Sequence, residues 1–383
     1  MKMRPLGKTG IMVSEIGLGC EHLQGKPYEQ IKSVLDAAEE CGINAMDTFM
    51  SQMEVRRDIG RALRGRRERF IIQGHIGSVW TDGQYKRSRD LAESKAFFED
   101  YLAKYGTDYI DIGMLHFVDG DEDWEALKDG PLMEYAHDLK RKGTIRAVGM
   151  SSHAPITALK AVRSGLIDVL MFSLNPAYDM LSEDCTVDDL FDPVTYDADR
   201  LTLNGQRAQL YAECERLGVG ITVMKSLGAG TLLSDASSPF GRAFTVPQLM
   251  HYALTRPAVA SVLAGATTPE QVRAAAAYEC TGAQERDYAG VLMNAPRFSL
   301  TGRCMYCNHC LPCPKHIDVA QVNKYLDLAF AQNDNVPESV REHYLTLDHT
   351  AGECVECGAC EKRCPFAVPV RSRMNQAKKL FGR

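Results

Sequence analysis

The sequence predicts an α/β fold: a TIM barrel of strand-and-helix units followed by a small, mainly helical, cysteine-rich domain. Two observations carry that prediction. Short apolar runs alternate with amphipathic segments of helical period up to about Gly265, and eight of the thirteen cysteines fall in two tight runs near the C-terminus. In order, IGLGC is followed by YEQIKSVLDAAEECG, AMDT by EVRRDIGRAL, and FIIQG by RDLAESKAFFEDYLAKYG. The beat continues through YIDIGML, TIRAVGM, VLMFSL, GITVM and VASVLAG, which makes eight strand candidates. Runs that are apolar without alternation suit strands covered on both faces, as in a parallel sheet closed into a barrel. Such a barrel places its working residues just after the strands, at their C-terminal ends.

The cysteine runs read Cys304-x2-Cys307-x2-Cys310-x2-Cys313-Pro314 and Cys354-x2-Cys357-x2-Cys360-x3-Cys364-Pro365. This is the spacing of a two-cluster ferredoxin, in which thiolates two residues apart on a tight turn reach adjacent irons and the cysteine before the proline ligates the other cluster. The expected sets for two [4Fe-4S] clusters are Cys304, Cys307, Cys310 and Cys364, and Cys354, Cys357, Cys360 and Cys313. The first run is one residue shorter before its Cys-Pro. Zinc sites use pairs of C-x2-C rather than two runs of four. The composition changes near Ala295, which divides the chain into a barrel over 1–295 and a ferredoxin-like domain over 296–383. Between the runs, IDVAQVNKYLDLAFAQ and ESVREHYLTL read as helices.

A chain of 383 residues with 45% hydrophobic content buries a large core, and a net charge of -6 argues against general nucleic-acid binding. No apolar run reaches the length of a membrane helix, and MKMRPLGKTG lacks the apolar stretch of a signal peptide. Clusters need thiolates kept from oxidation, so a reducing cytoplasm is the expected home. The Asp- and Pro-rich stretch LNPAYDMLSEDCTVDDLFDPVTYDADRLTLNG, after the sixth strand, is long enough to form a substrate lid. The cationic tail RSRMNQAKKLFGR reads as a solvated helix end, with docking of an acidic electron donor as the other reading.

Several stretches form a recognisable ordered set: MRPLGKTGIMVSEIGLG, GINAMDT, IGRALRGRRERF, TDYIDIGMLHF, GTIRAVGMSSH and SLNPAYD. Together they resemble the aldo-keto reductases, and with the cysteine runs they are similar to the iron-sulfur branch of that superfamily. The resemblance implies a site in which an Asp, a Tyr, a Lys and a His surround a substrate carbonyl. There the Tyr protonates the oxygen, the Lys held by the Asp lowers the Tyr pKa, and NADPH gives a hydride to the carbon. Aligned on that pattern, Asp47 and His116 are kept, while Gln52 stands at the Tyr position and His75 at the Lys position. A glutamine amide is no general acid, whereas an Asp-paired imidazole titrates near neutrality and can take over proton donation. His22, beside Glu21, is a further imidazole for the pocket, and His22, His75, His116 and Asp47 are also a divalent-metal set if the barrel gathers them.

By the same resemblance, Ser151, Ser152 and Asn175 stand where the nicotinamide amide is held. Gly265, Thr267 and Thr268 with Arg273 stand at the loop for the 2'-phosphate, and Lys225 is a second phosphate or carboxylate contact. NADP(H) therefore stays open as a cofactor. Met50, Met53, Met114, Phe117, Phe172 and Tyr178 at the strand ends supply either an apolar pocket or plain packing. The reading these residues favour is an iron-sulfur oxidoreductase. Two [4Fe-4S] clusters pass electrons between a ferredoxin- or flavodoxin-type donor and a small carbonyl or hydroxyl substrate, with histidines replacing the Tyr and Lys. An NADPH-dependent carbonyl reductase with a variant acid, and a non-redox lyase or isomerase using the histidines, are the alternatives.

Overall fold

All eight apolar runs form parallel strands of one closed barrel in the computed structural model, which describes residues 1–181, 204–293, 302–331 and 336–382. The first two strands, β1 (Met3–Pro5) and β2 (Met12–Ser14), make an antiparallel hairpin. Then come β3 (Ile16–Gly19), β4 (Ala45–Thr48) and β5 (Ile71–Ile76), followed by a second hairpin of β6 (Ser78–Thr81) and β7 (Gln84–Arg87). The barrel continues with β8 (Ile110–Leu115), β9 (Ile145–Ser152), β10 (Val169–Ser173), β11 (Gly220–Met224) and β12 (Val259–Gly265). Its order is β3-β4-β5-β8-β9-β10-β11-β12, and β12 pairs with β3 to close it.

Burial explains why these runs are strands. Every residue of β8 and β10 is buried, as expected where helices cover a parallel sheet from outside and side chains fill it from within. Ile112, Met114, Val169 and Met171 form a core cluster with Leu6, Ile11 and Val13, so the first hairpin and the turn within it contribute to that packing. Met114 is therefore core, the plainer of its two readings. Between the helices Met53–Ala62 and Leu91–Tyr105 the approach is so close that a Cβ on Gly60 would lie 2.0 Å from the Lys104 carbonyl oxygen. Register sets the rim: Asp47 lies across from Gln73, and His75 from Met114.

The chain divides into two compact units. One is Met1–Leu174 with Val219–Ser226 and Ala258–Cys280, and it holds the whole barrel sheet. The other is Asn175–Gly218, Leu227–Pro257 and Thr281–Arg383. Inside this second unit the buried Asp179 carboxylate accepts from Arg207 Nε at 2.9 Å, Tyr211 at 2.6 Å and Tyr252 at 2.9 Å. Arg256 Nη2 and the Tyr288 hydroxyl both donate to the Met305 carbonyl, at 2.8 and 2.6 Å. A buried carboxylate and guanidinium are tolerated there because each is hydrogen-bonded. The helices Val319–Phe330 and Glu338–Leu345 match the two expected between the cysteine runs. Of the expected lid, Pro176–Asp179 is a short helix and residues 182–203 lie outside the described residues. Among the described residues no helix is long and apolar enough to cross a membrane.

Candidate active site and cluster domain

Four side chains form one hydrogen-bonded line at the C-terminal ends of β4, β5 and β8. His75 Nε2 lies 3.0 Å from Asp47 Oδ1, and His75 Nδ1 lies 2.7 Å from His116 Nδ1. The other nitrogen of His116, Nε2, bonds the Tyr85 hydroxyl. Strand geometry places the first three: Asp47 and His75 sit within β4 and β5, and His116 directly follows β8. Tyr85 comes from the β6–β7 hairpin, whose two-residue turn has left-handed backbone at Asp82 (φ 56) and Gly83 (φ 76). That is the Asp-Gly turn whose twist matches two antiparallel strands. Ser78 Oγ donates to the Phe49 carbonyl at 2.6 Å and Ser51 Oγ to the Val79 carbonyl at 2.8 Å, tying the hairpin to the loop after β4.

The bonding partners dictate the protons. An ionised Asp47 accepts from His75 Nε2–H, leaving His75 Nδ1 as an acceptor. His116 must then donate through Nδ1, so its Nε2 accepts from the Tyr85 O–H. Only one proton fits between the two Nδ1 atoms, so both rings cannot be cations in this arrangement. Phe49 stacks on His116 with ring centroids 5.5 Å apart and shields it from water.

Burial, with His75, Arg89, His153 and Arg87 as cationic neighbours, holds the His116 pKa well below the usual 6.5. The unfolded chain binds a proton on this residue that the folded one refuses, so stability rises with pH below about 6.5 and this contribution levels off above it. Denaturant unfolding across that range is expected to show His116→Gln losing part of the acid-side slope, by up to about 1.4 kcal/mol per pH unit. Equal slopes in variant and wild type would exclude the assignment.

The remaining expected residues sort differently. Gln52, at the Tyr position, makes no bond to this line, and its buried Oε1 lacks a hydrogen-bond partner. His22 is exposed and stands beside Gly265, where an added Cβ would lie 3.0 Å from His22 Cδ2. Among the described residues no three His, Cys, Asp or Glu are gathered to hold a single metal ion. Ser151 Oγ accepts from the Phe117 N–H at 2.8 Å, and Ser152 Oγ donates to Asp119 at 2.9 Å. Burial alone would raise the Asp119 pKa, but His153 and Ser152 draw it below the usual carboxylate range. Asn175 Oδ1 caps the helix Pro176–Asp179 by accepting from Tyr178 N–H at 2.9 Å.

At the expected phosphate loop, Thr268 caps the helix Pro269–Ala276, and the Thr267 N–H and hydroxyl both donate to Gln271 Oε1. Arg273 pairs with Glu40 at 3.2 Å. Lys225 follows β11 in left-handed backbone, φ 60. Thr267, Thr268 and Arg273 are thus engaged with the protein itself.

In the second unit the cysteines surround two cavities. Cys304, Cys307, Cys310 and Cys364 line one, and Cys313, Cys354, Cys357 and Cys360 line the other. The two loops share a backbone pattern: Tyr306 and Asn308 around Cys307, and Glu356 and Gly358 around Cys357, all have positive φ. His316 and Ala367, each three residues past the last cysteine of its run, do as well. The helices Val319–Phe330 and Val370–Phe381 then start at matching offsets, so the shorter first run rejoins the pattern by its Cys-Pro. Burial pushes the thiol pKa of Cys304 up to about 12 and that of Cys307 to about 11, so these sulfurs need a bound metal to stay thiolates. The gathering of four cysteines around each cavity, their spacing and the thiolate donor set suit iron-sulfur clusters.

A parallel barrel with a hydrogen-bonded line of Asp47, His75, His116 and Tyr85 at its rim, joined in one chain to such a cysteine domain, is the make-up of an iron-sulfur oxidoreductase. The chain belongs to the aldo/keto reductase family, whose model matches residues 15–248, and a 4Fe-4S dicluster domain matches residues 303–369. It is 26% identical to the NADH-specific methylglyoxal reductase of Escherichia coli K12, over 71% of this chain and 92% of that protein. It is 33% identical to the uncharacterised oxidoreductase YqkF of Bacillus subtilis, over 45% of this chain and 57% of that protein's length. An aldo-keto reductase from Bacillus halodurans, solved in its holo form, shares the fold with a TM-score of 0.61 at 24% identity. That likeness covers 77% of this chain and 96% of that one.

Tyr85 is the residue that sequence reasoning missed. The signal was present, since the Asp82-Gly83 dipeptide between Val79-Trp80-Thr81 and Gln84-Tyr85-Lys86 is a hairpin signature.

Proposed function

We propose that the protein passes electrons through two [4Fe-4S] clusters to or from a small organic carbonyl or hydroxyl substrate at the barrel rim. His75 and His116 handle the proton, and Asp47 orients His75. The observation that carries this reading is the 2.7 Å contact between the two imidazoles with Asp47 behind them, formed where the family's Lys and Tyr are replaced by His75 and Gln52. Bound at the cysteine cavities, the clusters supply single-electron transfer. A low-potential donor of the ferredoxin or flavodoxin class suits that chemistry.

The nicotinamide reading draws on the family resemblance and on the similarity to the NADH-specific methylglyoxal reductase of Escherichia coli. Against it, Ser151, Ser152, Thr267, Thr268 and Arg273 already have partners within the protein. Anaerobic turnover of methylglyoxal and a panel of small carbonyls, with reduced methyl viologen as donor, tests the proposal. Turnover should vanish in a folded Cys307→Ala variant. Full turnover by that variant, or turnover with NADH alone, would overturn it.

A further inference from the structure

The hydrogen-bonded line has an outer end. Asp47 and His75 are each 3% exposed and His116 6%, whereas Tyr85 is 39% exposed. A buried carboxylate and two shielded rings thus lead to a phenol that alone reaches the open side. Neither imidazole can touch a substrate without breaking a bond already made, because both nitrogens of each ring are occupied, and Asp47 is buried behind them.

We propose that Tyr85, carried on the β6–β7 hairpin, is the catalytic residue that exchanges the proton with the substrate oxygen, and that His116, His75 and Asp47 are its internal proton store. This rests on the proposed carbonyl or hydroxyl chemistry and adds the group that performs it. The hairpin is held for the purpose. Arg89 donates to the His116 carbonyl at 2.9 Å and to the Phe117 carbonyl at 3.0 Å, while pairing with Asp123 at 2.6 Å. Arg87 reaches the same carboxylate at 3.2 Å. Phe49 meets the Tyr85 ring edge-on, with centroids 5.8 Å apart.

The proton count closes. In the loaded state His75 is an imidazolium against the Asp47 carboxylate. Its Nδ1–H donates to His116 Nδ1, His116 Nε2–H donates to the Tyr85 oxygen, and the Tyr85 O–H faces the substrate. As the carbonyl oxygen takes the Tyr85 proton, Tyr85 takes the Nε2 proton of His116, and His116 takes the Nδ1 proton of His75. The chain returns to the neutral arrangement with Asp47 ionised throughout, and solvent reloads it. Reduction of a carbonyl to an alcohol uses two electrons and two protons. The electrons come from two molecules of reduced ferredoxin- or flavodoxin-class carrier, the proton on oxygen from this line, and the proton on carbon from solvent. The charged groups facing Tyr85 are Arg87, Arg89 and Glu21, and those facing His116 are His75, Arg89, His153 and Arg87.

Two measurements on the cluster-loaded full chain test this. With methylglyoxal and the carbonyl panel, and reduced methyl viologen as donor, Tyr85→Phe should lower kcat about a hundred- to ten-thousandfold with little change in KM. Replacing Tyr85 by a fluorotyrosine of lower pKa should restore turnover and move the alkaline limb of the pH profile downward. Wild-type turnover in Tyr85→Phe, or a limb that stays in place with fluorotyrosine, overturns the assignment. Independently of any substrate, ¹⁵N-histidine NMR should show the His116 Nε2 resonance changed in Tyr85→Phe, and an unchanged resonance overturns the hydrogen-bonded line itself. A wild type inactive on every carbonyl overturns the underlying function, and Tyr85 as its donor with it, while leaving the NMR result to judge the line.

Discussion

Replacing Cys313 by alanine is expected to remove the cluster held mainly by the other cysteine run, lowering bound iron from about eight to about four atoms per chain. The reason is the crossing of the runs. Cys313 shares its cavity with Cys354, Cys357 and Cys360, whereas Cys364 shares one with Cys304, Cys307 and Cys310. In the reduced variant, electron paramagnetic resonance should show one isolated cluster in place of two interacting ones. Cys364→Ala should leave the opposite cluster, with a distinguishable spectrum. Electron-driven turnover should fall to background in both if the two clusters act in series. Loss of the cluster of the same run, or of neither, would mean that the cavities do not report the ligand sets.

Asp47→Asn should be nearly as damaging while leaving the fold in place. The carboxylate is 3% exposed and accepts from both His75 Nε2, at 3.0 Å, and Gln73 Nε2, at 3.2 Å. The amide oxygen of an asparagine can still accept both bonds at the Oδ1 position, but the neutral side chain withdraws the counter-charge of the His75 imidazolium. A loss of about a hundred- to ten-thousandfold in kcat is expected at neutral pH, with an unchanged thermal midpoint and unchanged iron content. Because the amide oxygen keeps accepting from His75 Nε2–H, ¹⁵N NMR should show the neutral-state tautomers of His75 and His116 retained. Retained activity would show that the line needs no counter-charge at position 47.

The barrel was legible because its signal is local and repeated: strands such as Ile110–Leu115, buried at every position, are apolar at most of them. The cysteine sets were legible for a similar reason, since ligand spacing along the chain is itself the chemistry. Asp47, His75 and His116 could be named from strand ends, but no periodicity states that two imidazoles meet through the same nitrogen. Tyr85 was hidden differently. The run Ile71–Ile76 was expected to lead straight into a helix, and the hairpin that intervenes is announced only by Asp82-Gly83. Even a correct hairpin assignment does not aim a side chain at a partner thirty-one positions away. The Asp179, Arg207 and Tyr252 group is beyond sequence reasoning, because nothing local marks a buried charge as one that will find three donors.

The two cysteine cavities match in backbone and differ in cover: Cys307 is 9% exposed, whereas Cys357 is exposed beside Val355, which is 55% exposed. An open sulfur wall admits a visiting redox protein and admits dioxygen by the same door. A cluster held by Cys313, Cys354, Cys357 and Cys360 is thus expected to be both the entry for electrons and the first to perish in air. The covered one would outlast it, and material handled aerobically would come to resemble a one-cluster protein.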